Sequence, residues 1–258
     1  YVGQGCLVDD AEGNWWGMIF QDRGGVGRVL TLNPCRWVDG WPMLGDDEGR
    51  VPAVVRKAIG DNENAGVVAS DEFDGSKSIL WQWNHNPVDE AWSLTERPGW
   101  LRLKTSRVVD NIFVAPNTIS QRMEGPVCEG EVKIDISKMK KGDVAGFGAF
   151  NGDSGLLSIM KDKKGTWLAA MESSVALGNK SHEVSGVSET EKERVKLSGK
   201  SICLKIVADF NPGCDKATFY YSEDDGTTWN PIGGEFKMRF DYRRFFMGTR
   251  FAIYNYAA

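Results

Sequence analysis

The sequence predicts an all-β protein, a β-sandwich preceded by a single blade-sized sheet. Three observations carry that expectation. Short β-branched and aromatic runs recur along the chain, turn signals such as Glu12-Gly13-Asn14, Asn151-Gly152-Asp153 and Asp224-Asp225-Gly226 separate them, and helical periodicity is weak. Regular spacing of short strands argues for a sandwich or barrel.

In chain order, Asn14–Phe20 and Arg28–Leu32 read as strands of a first group of about four, spanning residues 1–45. Four strands cannot bury both of their faces, and one four-stranded meander is the size of a propeller blade, which needs neighbours. Residues 46–65 are polar and turn-rich, with Asp46-Asp47-Glu48-Gly49 and Asp61-Asn62-Glu63-Asn64, and read as a linker. Residues 66–258 supply the remaining strands: Ile79–Trp83, Trp100–Lys104, Glu131–Ile136, Val144–Phe150, Leu156–Met160, Thr166–Met171, Ser201–Ala208, Ala217–Ser222 and Thr249–Tyr254. Ser188–Lys196 is the best short helical turn, Ser188 standing three before Glu191, although its charges suit a solvated face better. Phe251–Tyr256 is mid-pattern for a strand, so the sequence reads as part of something longer.

Composition limits the chemistry. The 258 residues include 41% hydrophobic and 26% charged side chains, as in ordinary globular proteins. Thirty-one Lys and Arg against 36 Asp and Glu give −5 with no basic stripe, so nucleic acid is not an expected partner. No apolar run approaches a membrane span, and the first residues lack a signal-peptide layout. Two histidines nearly exclude a multi-His metal centre, and five cysteines without a Cys-x-x-Cys pair read as buried thiols. Ten tryptophans are the surplus to explain.

Each motif has a plain and a functional reading. Gly152-Asp153-Ser154-Gly155 copies the nucleophile tetrapeptide of trypsin-like proteases, but a hairpin turn accounts for it fully. Ser222-x-Asp224-x-Gly226-x-x-Trp229 fits the Asp-box hairpin, in which Ser and Asp cap a tight turn. Asp71-Glu72-Phe73-Asp74-Gly75 suits turn capping first, with Ca²⁺ as the cofactor alternative. In Trp81-Gln82-Trp83-Asn84-His85-Asn86-Pro87, alternation puts Trp81 and Trp83 on one strand face and Gln82 and Asn84 on the other. Aromatic faces beside amides match a sugar, or else both rings are core and the amides secure a joint. Asn117 to Pro126 repeats the theme, with Asn117, Ile119, Gln121 and Met123 on one face and an Arg122–Glu124 couple on the other.

These residues, with Gly3-Gln4-Gly5-Cys6-Leu7-Val8-Asp9, Phe20-Gln21-Asp22-Arg23-Gly24, Gly27-Arg28-Val29, Trp37-x-Asp39-Gly40-Trp41-Pro42, Arg97-Pro98-Gly99-Trp100 and Arg239-Phe240-Asp241-Tyr242, resemble glycoside hydrolase family 43. Residues 1–45 resemble the last blade of its five-bladed propeller, and 66–258 its C-terminal concanavalin A-like (jelly-roll) sandwich. The resemblance implies xylan- or arabinan-type oligosaccharides and the remaining propeller blades as partners, an extracytoplasmic setting, and no required cofactor. It places the catalytic carboxylates on earlier blades, so no catalytic residue is assigned here, and Gly3 stands where the family's last blade carries His. The expected substrate-binding residues are Arg28, Trp81, Trp83, Asn84, His85, Asn117, Gln121, Arg122 and Glu124. The alternatives are a stand-alone carbohydrate-binding module or a domain that only braces the propeller.

Overall fold

The computed structural model describes residues 2–55 and 66–257. Its regular structure is β-strand apart from three short 3-10 turns, and the chain divides into two compact units. The first comprises residues 1–23 and 27–66, the second 24–26 and 67–258. Of the expected linker, Asp61–Asn64 lies outside the described residues.

The first unit is an antiparallel meander of β1 (Val2–Asp9), β2 (Trp15–Asp22), β3 (Arg28–Val38) and β4 (Trp41–Leu44), paired in chain order. Asp10 closes the first turn by accepting from the Asn14 N–H at 2.8 Å and the Trp16 indole at 2.9 Å. The sheet buries little: Trp41 is 74% and Leu30 64% exposed.

The second unit is a two-sheet β-sandwich. Its strands are β5 (Gln82–Trp83), β6 (Trp92–Ser93), β7 (Arg102–Leu103), β8 (Ile119–Arg122), β9 (Val127–Asp135), β10 (Asp143–Phe150), β11 (Asp153–Asp162), β12 (Gly165–Leu177), β13 (Val184–Leu197), β14 (Ser201–Asp209), β15 (Lys216–Ser222), β16 (Asn230–Lys237) and β17 (Arg250–Ala257). One sheet runs β13-β12-β11-β10-β17-β8-β5 and faces a second, β16-β15-β14-β9; β6 and β7 pair separately. In β14 burial alternates at every residue, with Ile202, Leu204, Ile206 and Ala208 turned inward, as a half-buried strand requires. They meet Phe147, Leu157, Ile159 and Leu168 of the larger sheet in one core. That sheet's other face carries a second cluster, where Phe150, Tyr254 and Tyr256 lie under Ile112 and Phe113. Gly146 is needed there, because a Cβ would come within 2.5 Å of the Tyr254 hydroxyl.

Three expectations are corrected. Ser188–Lys196 is not helical; it lies in β13, at the sheet margin, and its charges face water as a polar edge strand's should. Glu172 on the neighbouring strand pairs with Lys192 at 3.3 Å. Ile79–Trp83 is strand only at Gln82–Trp83: the Trp81 N–H bonds the Ser78 carbonyl in a turn, leaving Ile79 90% exposed and Asn84 outside the strand. Trp100–Lys104 shortens to Arg102–Leu103. In addition β16 is a strand that alternation misses, because Gly233 and Gly234, both at positive φ, make a bulge opposite Thr218–Phe219.

The motifs resolve on their plain readings. Ser154 is fully buried at the start of β11, donating back across the β10–β11 turn to the Asn151 carbonyl at 2.6 Å. Ser222 Oγ donates to Asp224 at 2.6 Å and accepts from the Gly226 N–H at 2.9 Å, while Asp224 takes the Thr228 N–H at 2.8 Å. These bonds, that from Ser222 foremost, hold the Asp224 carboxyl down to about 2. The five cysteines are free thiols, but against expectation none is buried: Cys6 is exposed and the other four are half-buried.

Candidate functional site

Trp81 is only 8% exposed; its indole N–H bonds Asp71 Oδ2 at 3.0 Å and its ring packs on Phe73. Asp71 is spent twice over, its other oxygen accepting the Phe73 N–H at 2.8 Å, which is the turn-capping role. Among the described residues no three His, Cys, Asp or Glu side chains converge as a metal-ligand set. Trp83 is half-buried against Trp92, with ring centres 5.3 Å apart. The Asn84 N–H donates to the Thr118 carbonyl, and exposed His85 donates from Nε2 to the Phe113 carbonyl at 2.7 Å.

The second run is mostly structural. Buried Asn117 clamps Val88, accepting its N–H at 2.9 Å and donating to its carbonyl at 3.1 Å. Gln121, also buried, accepts the Ala69 N–H at 2.8 Å. A buried amide that satisfies a passing backbone saves that segment the desolvation penalty of an unpaired group. Arg122 and Glu124 are both exposed and, among the described residues, form no ion pair with each other; the residue opposite Arg122 is Arg250 of β17.

The fold distributes these residues over two hollows of the sandwich unit. The larger, about 1300 Å³, follows the free edge of β9 and includes Trp81, Gln121, Arg122 and Glu124. Its floor carries Phe147 and Phe251, stacked at 5.6 Å. On its rim Arg97 lies 3.8 Å over the Trp100 ring and reaches Asp135 at 2.5 Å. Hydrogen bonds from Ser137, and then from Arg97, hold Asp135 down to about 2, so it is ionised at neutral pH. An apolar floor below an aromatic, charged rim can take the C–H face and hydroxyls of a sugar ring.

The smaller hollow, about 400 Å³, brings Asn84 and His85 together with His182, Arg244 and Phe246. Arg244 is a fixed wall of it, donating to both Asp153 oxygens, at 2.7 and 2.8 Å, and to Asp241 at 2.9 Å. The Arg244 hydrogen bonds depress the Asp153 pKa, and the Asp153 carboxylate raises that of Arg244. Trp83 and Asn117 line neither hollow. In the first unit Arg28 bonds Asp22 at 3.1 Å and lies 4.0 Å over the Phe20 ring.

Sequence reasoning missed Arg97, Trp100, His182, Arg244 and Phe246 as site residues. Arg97-Pro98-Gly99-Trp100 was legible as a motif, and an arginine beside a tryptophan is the signal that could have marked it. Nothing local marks Arg244, whose partner Asp153 is 91 positions away.

Comparison with known proteins follows the same division. Residues 70–258 match the family described as beta xylosidase C-terminal concanavalin A-like domain. A beta-xylosidase of Formosa agariphila is 36% identical over 195 residues, covering 64% of this chain and 33% of its own. A putative beta-xylosidase of Xylanibacter ruminicola is 38% identical over 145 residues, covering 54% of this chain and 27% of its own. The solved structure of a bifunctional GH43-CE protein of Bacteroides eggerthii superposes on 99% of this chain with a TM-score of 0.88 and 38% identity, over 32% of its own length. The chain thus spans a third or less of the length of these relatives. On the match across its whole sandwich, the chain belongs to the family of β-xylosidase C-terminal concanavalin A-like domains.

Proposed function

We propose that this chain is the C-terminal portion of a family 43 glycoside hydrolase acting on xylan- or arabinoxylan-type oligosaccharides. The observation that carries the reading is the family match over residues 70–258, together with relatives named as β-xylosidases. In this reading the meander is the last blade of a five-bladed propeller, completed by blades outside these 258 residues. Its exposed Trp41 and Leu30 support it, since a lone four-stranded sheet with open apolar faces needs neighbours. In the same reading Arg28, whose guanidinium is fixed by Asp22, grips substrate hydroxyls at the mouth of that propeller. The polymeric substrate sets the enzyme outside the cytoplasm.

The sandwich braces the propeller and positions the substrate. Bracing is favoured by Trp81, Asn117 and Gln121, whose polar atoms are consumed holding the sandwich together. Positioning falls to the two hollows, with Trp100 and Arg97 on one rim and His85 and Phe246 on the other.

The test is a fusion of this chain behind the N-terminal two-thirds of the Formosa agariphila β-xylosidase. The fusion hydrolyses an aryl β-xyloside and the 258-residue chain alone does not. Turnover by the chain alone at about 1 per second or faster, within the ordinary enzyme range, overturns the reading. A folded fusion without activity overturns it as well.

A further inference from the structure

The larger sheet carries two arginines side by side with no acid between them. Arg122 of β8 and Arg250 of β17 are directly opposed in the antiparallel register. Like charges so placed repel, and burial adds to the cost. Arg250 is half-buried; its Nε donates to Ser120 Oγ at 2.9 Å, and one Nη contacts the Ser120 carbonyl at 3.5 Å. Neither guanidinium has a carboxylate in ion-pair reach among the described residues, although Arg244, Arg97 and Arg28 each have one. Burial, reinforced by the charge of Arg122, lowers the pKa of Arg250, the mark of a cation without its counter-charge.

The register also fixes what stands beside the pair. Gln82 is opposite Ser120, and Ser120 opposite Ala252, so these side chains share the arginines' face one pleat further along. Gln82 is exposed, and among the described residues its side-chain amide has no hydrogen-bond partner. Two planar forks fit a carboxylate, each able to donate two parallel N–H bonds. An exposed amide one pleat along and one strand across from Arg122, about 8 Å away between backbones, fits the hydroxyls of a ring bearing that carboxylate.

We infer that Arg122, Arg250 and Gln82 form a carboxylate-binding site for a uronic acid substituent on a pentose oligosaccharide. This deepens the oligosaccharide reading above and rests on it for the sugar. The site, which adjoins the larger hollow through Arg122, would tether acidic xylan-type chains more tightly than neutral ones.

The test titrates the 258-residue chain, by calorimetry at low salt, with neutral xylohexaose, with a xylo-oligosaccharide of equal length bearing one glucuronic acid, and with a short aspartate-containing peptide. The uronate-bearing sugar binds about tenfold more tightly than xylohexaose, and 0.5 M NaCl removes the difference. Arg122→Gln, at an exposed position, abolishes the preference without lowering the melting temperature, since it also relieves the repulsion on Arg250, whereas Arg122→Lys keeps part of the preference. Equal binding of the two sugars overturns the site and leaves the oligosaccharide reading intact. Binding of the uronate sugar alone supports the site while counting against the hollows as sugar sites. Binding of the peptide alone makes the pair a protein contact and overturns the proposal, as does binding of none of the three.

Discussion

The two units of the chain solve the burial problem in opposite ways. In the sandwich, two sheets face each other and every second residue of a strand such as β14 loses its water. In the meander, one sheet of four strands has nothing of its own to lie against, and Trp37, Trp41, Leu30 and Val38 stay exposed. Both units have correct strands, turns and registers. Strand formation is therefore a local matter here, whereas stability comes from the second layer, which only the sandwich contains.

The largest expected effect tests that contrast directly. Leu157→Ala in the sandwich core should cost about 3–5 kcal/mol, read from the urea midpoint. A loss below about 1 kcal/mol would mean that the core is not the unit of stability. Next is Asn117→Ala, which leaves the Val88 backbone unpaired; about 2 kcal/mol is expected, with faster amide exchange at Val88.

The third effect is smaller and depends on pH. The folded pKa of Asp135 is depressed to about 2, so its contribution is complete above the unfolded value of about 4 and is lost as pH falls toward 2. Arg97→Gln removes one cause of that depression. The melting temperature of the variant should lie about 2 °C below wild type at pH 6, and the gap should narrow by pH 2.5. A gap unchanged over that range would assign the loss to the Trp100 stacking instead.

The smallest effect sharpens the comparison from the meander's side. Leu30→Ala should change stability by less than about 0.5 kcal/mol in the isolated chain, since the side chain is 64% exposed. In the fusion enzyme the same substitution should cost about 2 kcal/mol, because a neighbouring blade then covers the residue. An equal, small cost in both would remove the blade from the proposed function.

Much of the architecture was legible because β-structure writes itself in alternation. Ser201–Ala208, Val144–Phe150 and the Asp-box turn at Ser222–Trp229 were readable from residue types alone, and so was the four-strand group at the start. Where the pattern was polar or broken, the reading failed. β13 is charged because an edge strand meets water, and β16 is interrupted by a glycine bulge. The candidate site was less legible than the fold. The Trp81–Pro87 run looked like one cluster on one strand, but its residues are divided between two hollows and the core.

By itself the sequence determined the all-β class, the four-strand group at the start and the alternation of Ile119 and Gln121, since each follows from spacing along a few neighbouring residues. Only the tertiary structure decided which polar groups are spent and which are free. Trp81 is tied to Asp71, Gln121 to Ala69 and Arg244 to Asp153, while Arg122 meets Arg250 across 128 positions of chain and not the Glu124 two residues away. The reason is that alternation is set by the backbone of one strand, whereas a partner is set by which strands pair, and pairing is a property of the whole sheet.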